Sequence, residues 1–100
     1  MTELHMTVTV DELRRFSDAL FRHLESKGVG SVALDQDYYW SIPSEHLYDP
    51  TTEPTKLEMG QLTEDLEELR QIERGERPPV SYGLVWLSSI LRCIGEKYIS

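Results

Sequence analysis

The residues best suited to binding or chemistry lie between positions 35 and 49. This stretch holds four of the nine aromatic residues of the chain and four of its acids. Tyrosine and tryptophan are enriched at the energetic centres of protein interfaces, and neighbouring carboxylates suit a basic target. We therefore predict a surface for a protein partner there, with these candidate residues: Asp35, Asp37, Tyr39, Glu45, Tyr48 and Asp49.

The same region also has the alternating pattern of a strand. Five apolar residues occupy even positions, namely Val32, Leu34, Tyr38, Trp40 and Ile42. In a strand, successive side chains point to opposite faces. We predict one bent strand or a short hairpin over 32–42. The alternation leaves two arrangements open: Tyr38 and Trp40 point into the core with Tyr39 in solvent, or Tyr38 and Trp40 lie at the surface.

A small enzyme, or an enzyme subunit, with a site near His46 and the acids of 35–49 is one alternative. A strongly raised pKa for one of those acids would favour it. The sequence has no Gly-x-Ser-x-Gly turn and no glycine-rich phosphate loop. Cys93 lies in the most apolar segment, where a thiol is usually inert. We assign no catalytic residue and expect no cofactor.

The histidines and the single cysteine match no metal-binding pattern. His5, His23 and His46 are widely spaced, and Cys93 has no second cysteine to complete a zinc site. We therefore expect no metal centre. A lone cysteine excludes an intramolecular disulfide, and residues 1–6 lack the features of a signal peptide. Both observations favour a cytoplasmic location.

The net charge of −8 is concentrated in the middle of the chain. Residues 31–76 contain twelve acids and three bases, whereas the segments on either side are close to neutral. Such a surface repels nucleic acid and anionic membranes, because phosphate binding needs clustered lysine or arginine. It attracts a basic protein partner and speeds the encounter.

The first thirty residues predict one amphipathic helix. Apolar residues recur at helical spacing over 10–27, with charged residues on the opposite side. Thr9 and Glu12 match a capping box at its start, and Gly28 suits a left-handed stop at its end. Residues 1–8 are expected to be a frayed lead-in.

Residues 43–61 are predicted to be mostly loop, with one helical turn at 44–48. Two more helices are predicted after this segment. Helix two, over 64–74, should be capped by Thr63. Its acidic first turns suit either a docking surface or simple capping. Asp65 lies at the edge of its apolar stripe, so we expect it to cap the helix, to accept a hydrogen bond from a tyrosine, or to act as a functional acid.

Four short segments resemble a pattern in small uncharacterised bacterial proteins, a family whose domain has no known function. They are 39–43 (YWSIP), 47–49 (LYD), 59–62 (MGQL) and 91–95 (LRCIG). The resemblance implies a bacterial or phage origin. It implies no activity, cofactor or catalytic residue.

We expect a single domain over residues 1–100 with a mainly α fold, in which three helices form a core around helix three, 80–98, beside a short β segment. An α+β fold is the alternative. The function we favour is a non-catalytic acidic protein-binding module, such as an inhibitor or immunity-type protein that covers a basic partner surface. A structural homo-oligomer that uses the wide apolar face of helix three is a further alternative.

Overall fold

The computed structural model describes residues 6–98. In chain order the elements are helix α1 (Val10–Ser26), strand β1 (Tyr38–Ser41), helix α2 (Ser44–Leu47), strand β2 (Glu58–Gln61), helix α3 (Leu62–Glu73) and helix α4 (Gly83–Lys97). This confirms the predicted mainly α fold with a short extended element. The frayed lead-in predicted for residues 1–8 lies mostly outside the described residues.

The chain comprises two compact units, one up to Ala33 and one from Leu34 onward. The first unit contains α1, and the second contains all the other elements. The single domain over residues 1–100 stays a prediction.

Helix α1 begins and ends as its sequence predicts. The Thr9 hydroxyl accepts a hydrogen bond from the Glu12 amide at 3.0 Å, and the Glu12 carboxylate accepts one from the Thr9 amide at 2.9 Å. These bonds satisfy amides that have no partner inside the helix, as a capping box does. At the other end, Gly28 has a φ of +82°, a left-handed conformation that glycine adopts without a steric penalty.

The apolar face of α1 is exposed to solvent. Five large apolar residues have 46–65% of their surface exposed: Val10, Leu13, Phe16, Leu20 and Phe21. No residue of α1 is buried. The burial of this stripe in a core shared with the other helices stays a prediction. Helical periodicity defines an apolar face, but it does not identify the surface that covers this face.

Strands β1 and β2 form a two-stranded antiparallel sheet, which we call the hairpin. Its cross-strand pairs are Tyr38 with Gln61, Tyr39 with Gly60, Trp40 with Met59, and Ser41 with Glu58. The strand predicted over 32–42 is thus shorter than expected, and its partner lies in a segment predicted to be mostly loop. The sequence of β2 hides the strand because it has no β-branched or aromatic residue. The helical turn predicted at 44–48 is confirmed as α2.

Helices α3 and α4 pack against each other in the second unit. In residues 6–98 the buried apolar side chains are Leu62 of α3 and Ile90 of α4. Gly83 brings the start of α4 close to α3, since a Cβ there would lie 3.7 Å from Ile72 and 4.0 Å from Leu69. Helix α3 begins two residues earlier than predicted and α4 begins three residues later.

The packed side of α4 covers only part of the wide apolar face predicted for this helix. Gly83 and Ile90 are buried, and Trp86 and Cys93 are half-buried on the same side. Leu84, another apolar residue of α4, is 71% exposed. Part of the wide apolar face predicted for this helix therefore remains at the surface. None of the helices within residues 6–98 has the length and apolarity that a membrane crossing requires.

Candidate protein-binding site

One face of the hairpin is apolar and exposed. Tyr38, Trp40 and Met59 each have 60–67% of their surface accessible to solvent, and we call these three residues the outer hairpin face. Trp40 and Met59 are cross-strand partners, so their side chains lie together on one side of the sheet. The sequence left open whether Tyr38 and Trp40 face the core or the solvent. They face the solvent, because it is Tyr39 that points towards the helices.

On the opposite face, Tyr39 makes a hydrogen bond with α3. Its phenolic hydroxyl donates to Asp65 Oδ2 at 2.5 Å, and the hydroxyl of Ser89 from α4 contacts the same oxygen at 2.6 Å. Asp65 is 7% exposed, and a buried carboxylate needs such donors to offset its lost hydration. Of the three roles expected for Asp65, the hydrogen bond from a tyrosine is the one that the structure shows. The hairpin is therefore joined to both helices through one carboxylate.

Gly60 makes room for the ring of Tyr39. The two residues face each other across the strands, and a Cβ at Gly60 would overlap the tyrosine ring. Burial, reinforced by the hydrogen bond to Asp65, raises the pKa of Tyr39 above its ordinary value of 10.0. The hydroxyl thus remains a donor throughout the neutral pH range.

Asp37, the residue before β1, caps helix α3. Its Oδ1 accepts hydrogen bonds from the Thr63 amide at 3.0 Å and the Thr63 hydroxyl at 2.9 Å. Its Oδ2 accepts a bond from the side-chain amide of Gln61 at 2.9 Å. These bonds, above all the one from the Thr63 amide, lower the pKa of Asp37. The prediction that Thr63 caps the helix is wrong, because Thr63 is the donor and Asp37 is the acceptor.

Asp49 also accepts hydrogen bonds from within the chain. Its Oδ1 lies 2.6 Å from the Thr51 hydroxyl and 3.1 Å from the Thr51 amide. The hydrogen bond from the Thr51 side chain is the largest cause of the lowered pKa of Asp49. A strongly raised pKa for one of the acids of 35–49 would have favoured the enzyme alternative. The pKa values of Asp37 and Asp49 are instead lowered, so these two acids give it no support.

Three of the predicted residues present exposed side chains. Tyr48 is 89% exposed. The carboxylates of Asp35 and Glu45 are 73% and 78% exposed and make only long contacts, each 3.8 Å, with Lys97 and His46 respectively. Of the six predicted residues, Asp37, Tyr39 and Asp49 therefore make contacts within the fold, and the other three are at the surface.

Sequence reasoning missed the outer hairpin face. Met59 lies in the strand that was not predicted, and the sequence pattern did not decide whether Tyr38 and Trp40 face the core or the solvent. The expected bond between Asp65 and a tyrosine was the signal that could have found this face. If Tyr39 binds Asp65, its neighbours Tyr38 and Trp40 must point to the other side of the sheet.

A second acidic surface lies at the start of α3, where the sequence predicts a possible docking surface. An open depression of about 730 Å³ is lined by Thr63, Glu64, Asp65, Glu67, Glu68, Arg77 and Trp86. Arg77 forms an ion pair with Glu68, and its guanidinium carbon lies 5.2 Å from the centroid of the Trp86 ring. Glu68 and the aromatic ring of this depression are thus already in contact with a cation of the same chain, which makes it the weaker candidate.

Within the part of the chain that the structure describes, no three side chains of His, Cys, Asp or Glu are close enough together to hold a metal ion. Comparisons with protein-family models, with curated proteins and with solved structures gave no match. The resemblance to small bacterial proteins stays a prediction.

Proposed function

We propose that this chain is a non-catalytic protein-binding module that covers a basic surface of its partner, as inhibitors and immunity-type proteins do. The observation that carries the proposal is the outer hairpin face, on which Tyr38, Trp40 and Met59 are all exposed. Aromatic residues and methionine are enriched in the buried centres of protein interfaces. A cluster of such side chains on a soluble surface is typical of a binding site.

The support beneath this face suits a binding surface. Tyr39 is held by Asp65 on one side of the sheet, and Asp37, just before β1, joins the beginning of this strand to the start of α3. A surface that is ordered before binding loses less conformational entropy when the partner arrives. The strand that carries Tyr38 and Trp40 therefore needs little rearrangement when a partner binds.

The charge around the hairpin favours a basic partner. Residues 34–61 contain six acids and one lysine, which gives this segment a net charge of −5. The exposed carboxylates of Asp35 and Glu45 are available to steer a positively charged protein. Charges at the edge of an interface act mainly on the rate of association and on its salt dependence.

Affinity capture from the native cell lysate tests the proposal. The full chain, immobilised, is exposed to lysate at low and at high salt, beside a Trp40→Ala variant and a Leu84→Ala variant as matched control. The proposal expects a stoichiometric basic protein that the wild type and Leu84→Ala retain, that Trp40→Ala loses, and that high salt releases. Retention of the same proteins by all three chains, or of none by any, would contradict it.

A homo-oligomer is the second candidate, because α4 keeps apolar side chains at the surface. Leu84, Leu87 and Leu91 are 71%, 40% and 37% exposed. Self-association through this strip would bury them, although it would also bring together two chains of net charge −8. A mass that rises with concentration in light scattering would support the oligomer, and a constant monomer mass would exclude it.

A further inference from the structure

Strand β1 has a free backbone edge. The Leu62 amide donates to the Asp37 carbonyl at 2.7 Å, and hydrogen-bonded pairs recur at every second position of an antiparallel sheet. The odd positions of β1 therefore direct their backbone groups towards β2. Tyr38 and Trp40, the even positions, direct their amides and carbonyls away from it.

These outward groups have no backbone partner within residues 6–98. The sheet consists of two strands, so two amides and two carbonyls lie in a row along the outside of β1. The exposed side chains of the same two residues stand beside that row. A strand edge of this kind is a template for pairing with another chain.

We infer that the partner adds an extended segment rich in lysine or arginine to the edge of β1, as a third strand. The inference rests on the proposed function and specifies how the partner binds. In strand addition, main-chain hydrogen bonds supply affinity and alternate side chains supply selectivity. A lysine or arginine of the added strand could lie over the ring of Trp40, where a cation is attracted to the face of the indole.

Charge complementarity decides which occupant this edge takes. The net charge of −5 on residues 34–61 attracts a basic segment. A second copy of the chain would place two such segments side by side at the same edge, where like charges repel. The edge of β2 is less suitable, because Gln61 is half-buried there and the chain turns directly into α3.

The test uses the full chain and two synthetic peptides. The first peptide alternates lysine and valine, and the second has the same sequence with the backbone amides along one edge methylated. Methylation removes hydrogen-bond donors and leaves the charge unchanged. Affinity is measured by titration calorimetry, and the exchange of individual amide hydrogens of the chain is followed by NMR.

We expect the first peptide to bind and to slow amide exchange at Tyr38 and Trp40. Methylation should weaken binding by about tenfold or more, because several backbone hydrogen bonds are lost. Equal affinity of the two peptides, with no protection at Tyr38 and Trp40, would overturn strand addition but leave the acidic binding function intact. Protection at Met59 and Gln61 instead would show that the peptide adds to the edge of β2, and would overturn the inference.

Two further outcomes would also overturn the inference. If the alternating peptide does not bind, the edge does not accept a basic strand, and the proposed function then stands or falls with the capture experiment alone. If Tyr38 and Trp40 become protected without peptide as the concentration of the chain rises, the occupant of the edge is a second copy.

Discussion

Tyr39 and Asp65, twenty-six residues apart in sequence, are joined by a hydrogen bond of 2.5 Å that fixes which face of the hairpin is exposed. The bond directs Tyr39 towards the helices, and because side chains alternate along a strand, it directs Tyr38 and Trp40 to solvent. The outer hairpin face is thus a consequence of a polar contact on the inner one. A loss of that contact should be measurable in both stability and binding.

The first prediction concerns the Tyr39 hydroxyl. Tyr39→Phe removes a donor from the buried carboxylate of Asp65, so we expect the free energy of unfolding to fall by about 1–3 kcal/mol. Tyr38→Phe is the matched control, because Tyr38 is 64% exposed. It should change stability by less than about 0.5 kcal/mol. Urea denaturation of both variants makes the comparison, and equal stabilities would show that the bond contributes nothing.

The second prediction compares two glycines of the second unit. Gly60→Ala places a Cβ inside the ring of Tyr39, and the displaced ring should cost about 1–3 kcal/mol of stability. Gly83→Ala places a Cβ at an ordinary contact distance of 3.7 Å from Ile72. It should be neutral, or stabilise α4 by up to about 1 kcal/mol. Thermal unfolding followed by circular dichroism ranks the two variants by stability. A Gly60→Ala variant more stable than Gly83→Ala would refute the packing of the Tyr39 ring against Gly60.

The third prediction concerns pH and Asp37. The folded pKa of Asp37 lies below its ordinary value of 3.8, so its ionised form stabilises the folded state at pH values above 3.8. That contribution is lost as the pH falls through the folded pKa. Asp37→Asn should therefore be less stable than the wild type at neutral pH and equal to it in strong acid.

The control for this pH series is Asp35→Asn. The carboxylate of Asp35 is exposed, and its contact with Lys97 is long, at 3.8 Å. We therefore expect the stability of Asp35→Asn to follow that of the wild type at every pH. Unfolding by urea at a series of pH values gives the three curves. If the free energies of unfolding of the wild type and Asp37→Asn differed by the same amount at every pH, this would contradict the role assigned to the Asp37 carboxylate.

The local signals in the sequence were sufficient to predict several elements. The capping box of Thr9 and Glu12, the left-handed Gly28 and the short helix α2 follow from residues close together in the chain. Their cause is local hydrogen bonding and backbone preference, which a single sequence displays directly. The hydrogen bond from a tyrosine was one of the three roles expected for Asp65, because a carboxylate beside an apolar stripe needs a donor.

The errors all involve contacts between distant residues. Strand β2 is defined by its pairing with β1, and Gly60 is tolerated there because the ring of Tyr39 lies over it. The acceptor that caps α3 comes from Asp37, which no pattern near Thr63 reveals. The sequence also left open which face of the hairpin is exposed, because this depends on what packs against the strands rather than on their own periodicity.

The fourth prediction concerns the contribution of Trp40 to binding. Trp40→Ala removes an exposed ring, so it should change stability by less than about 1 kcal/mol. If Trp40 is an interface centre, the same change should weaken partner binding by roughly thirtyfold or more. Surface plasmon resonance with the captured partner measures the loss. An affinity equal to that of the wild type would remove Trp40 from the site.

The fifth prediction concerns the exposed acids. The double variant Asp35→Lys and Glu45→Lys reverses two charges that make no short contact within the chain. We expect association with a basic partner to slow by about tenfold at low salt and to lose much of its salt dependence. Stopped-flow kinetics over a range of ionic strength tests this, and rates unchanged at every salt concentration would exclude electrostatic steering.

Site-specific photo-crosslinking tests the central claim most directly. A photoreactive benzoylphenylalanine replaces Trp40 in one version of the full chain and Leu84 in another, and both are irradiated in native lysate. The account predicts that position 40, and not position 84, becomes joined to one basic protein, and that high salt abolishes the product. Crosslinks from position 84 to a second copy of the chain, with none from position 40 to a basic protein, would contradict it and favour a homo-oligomer.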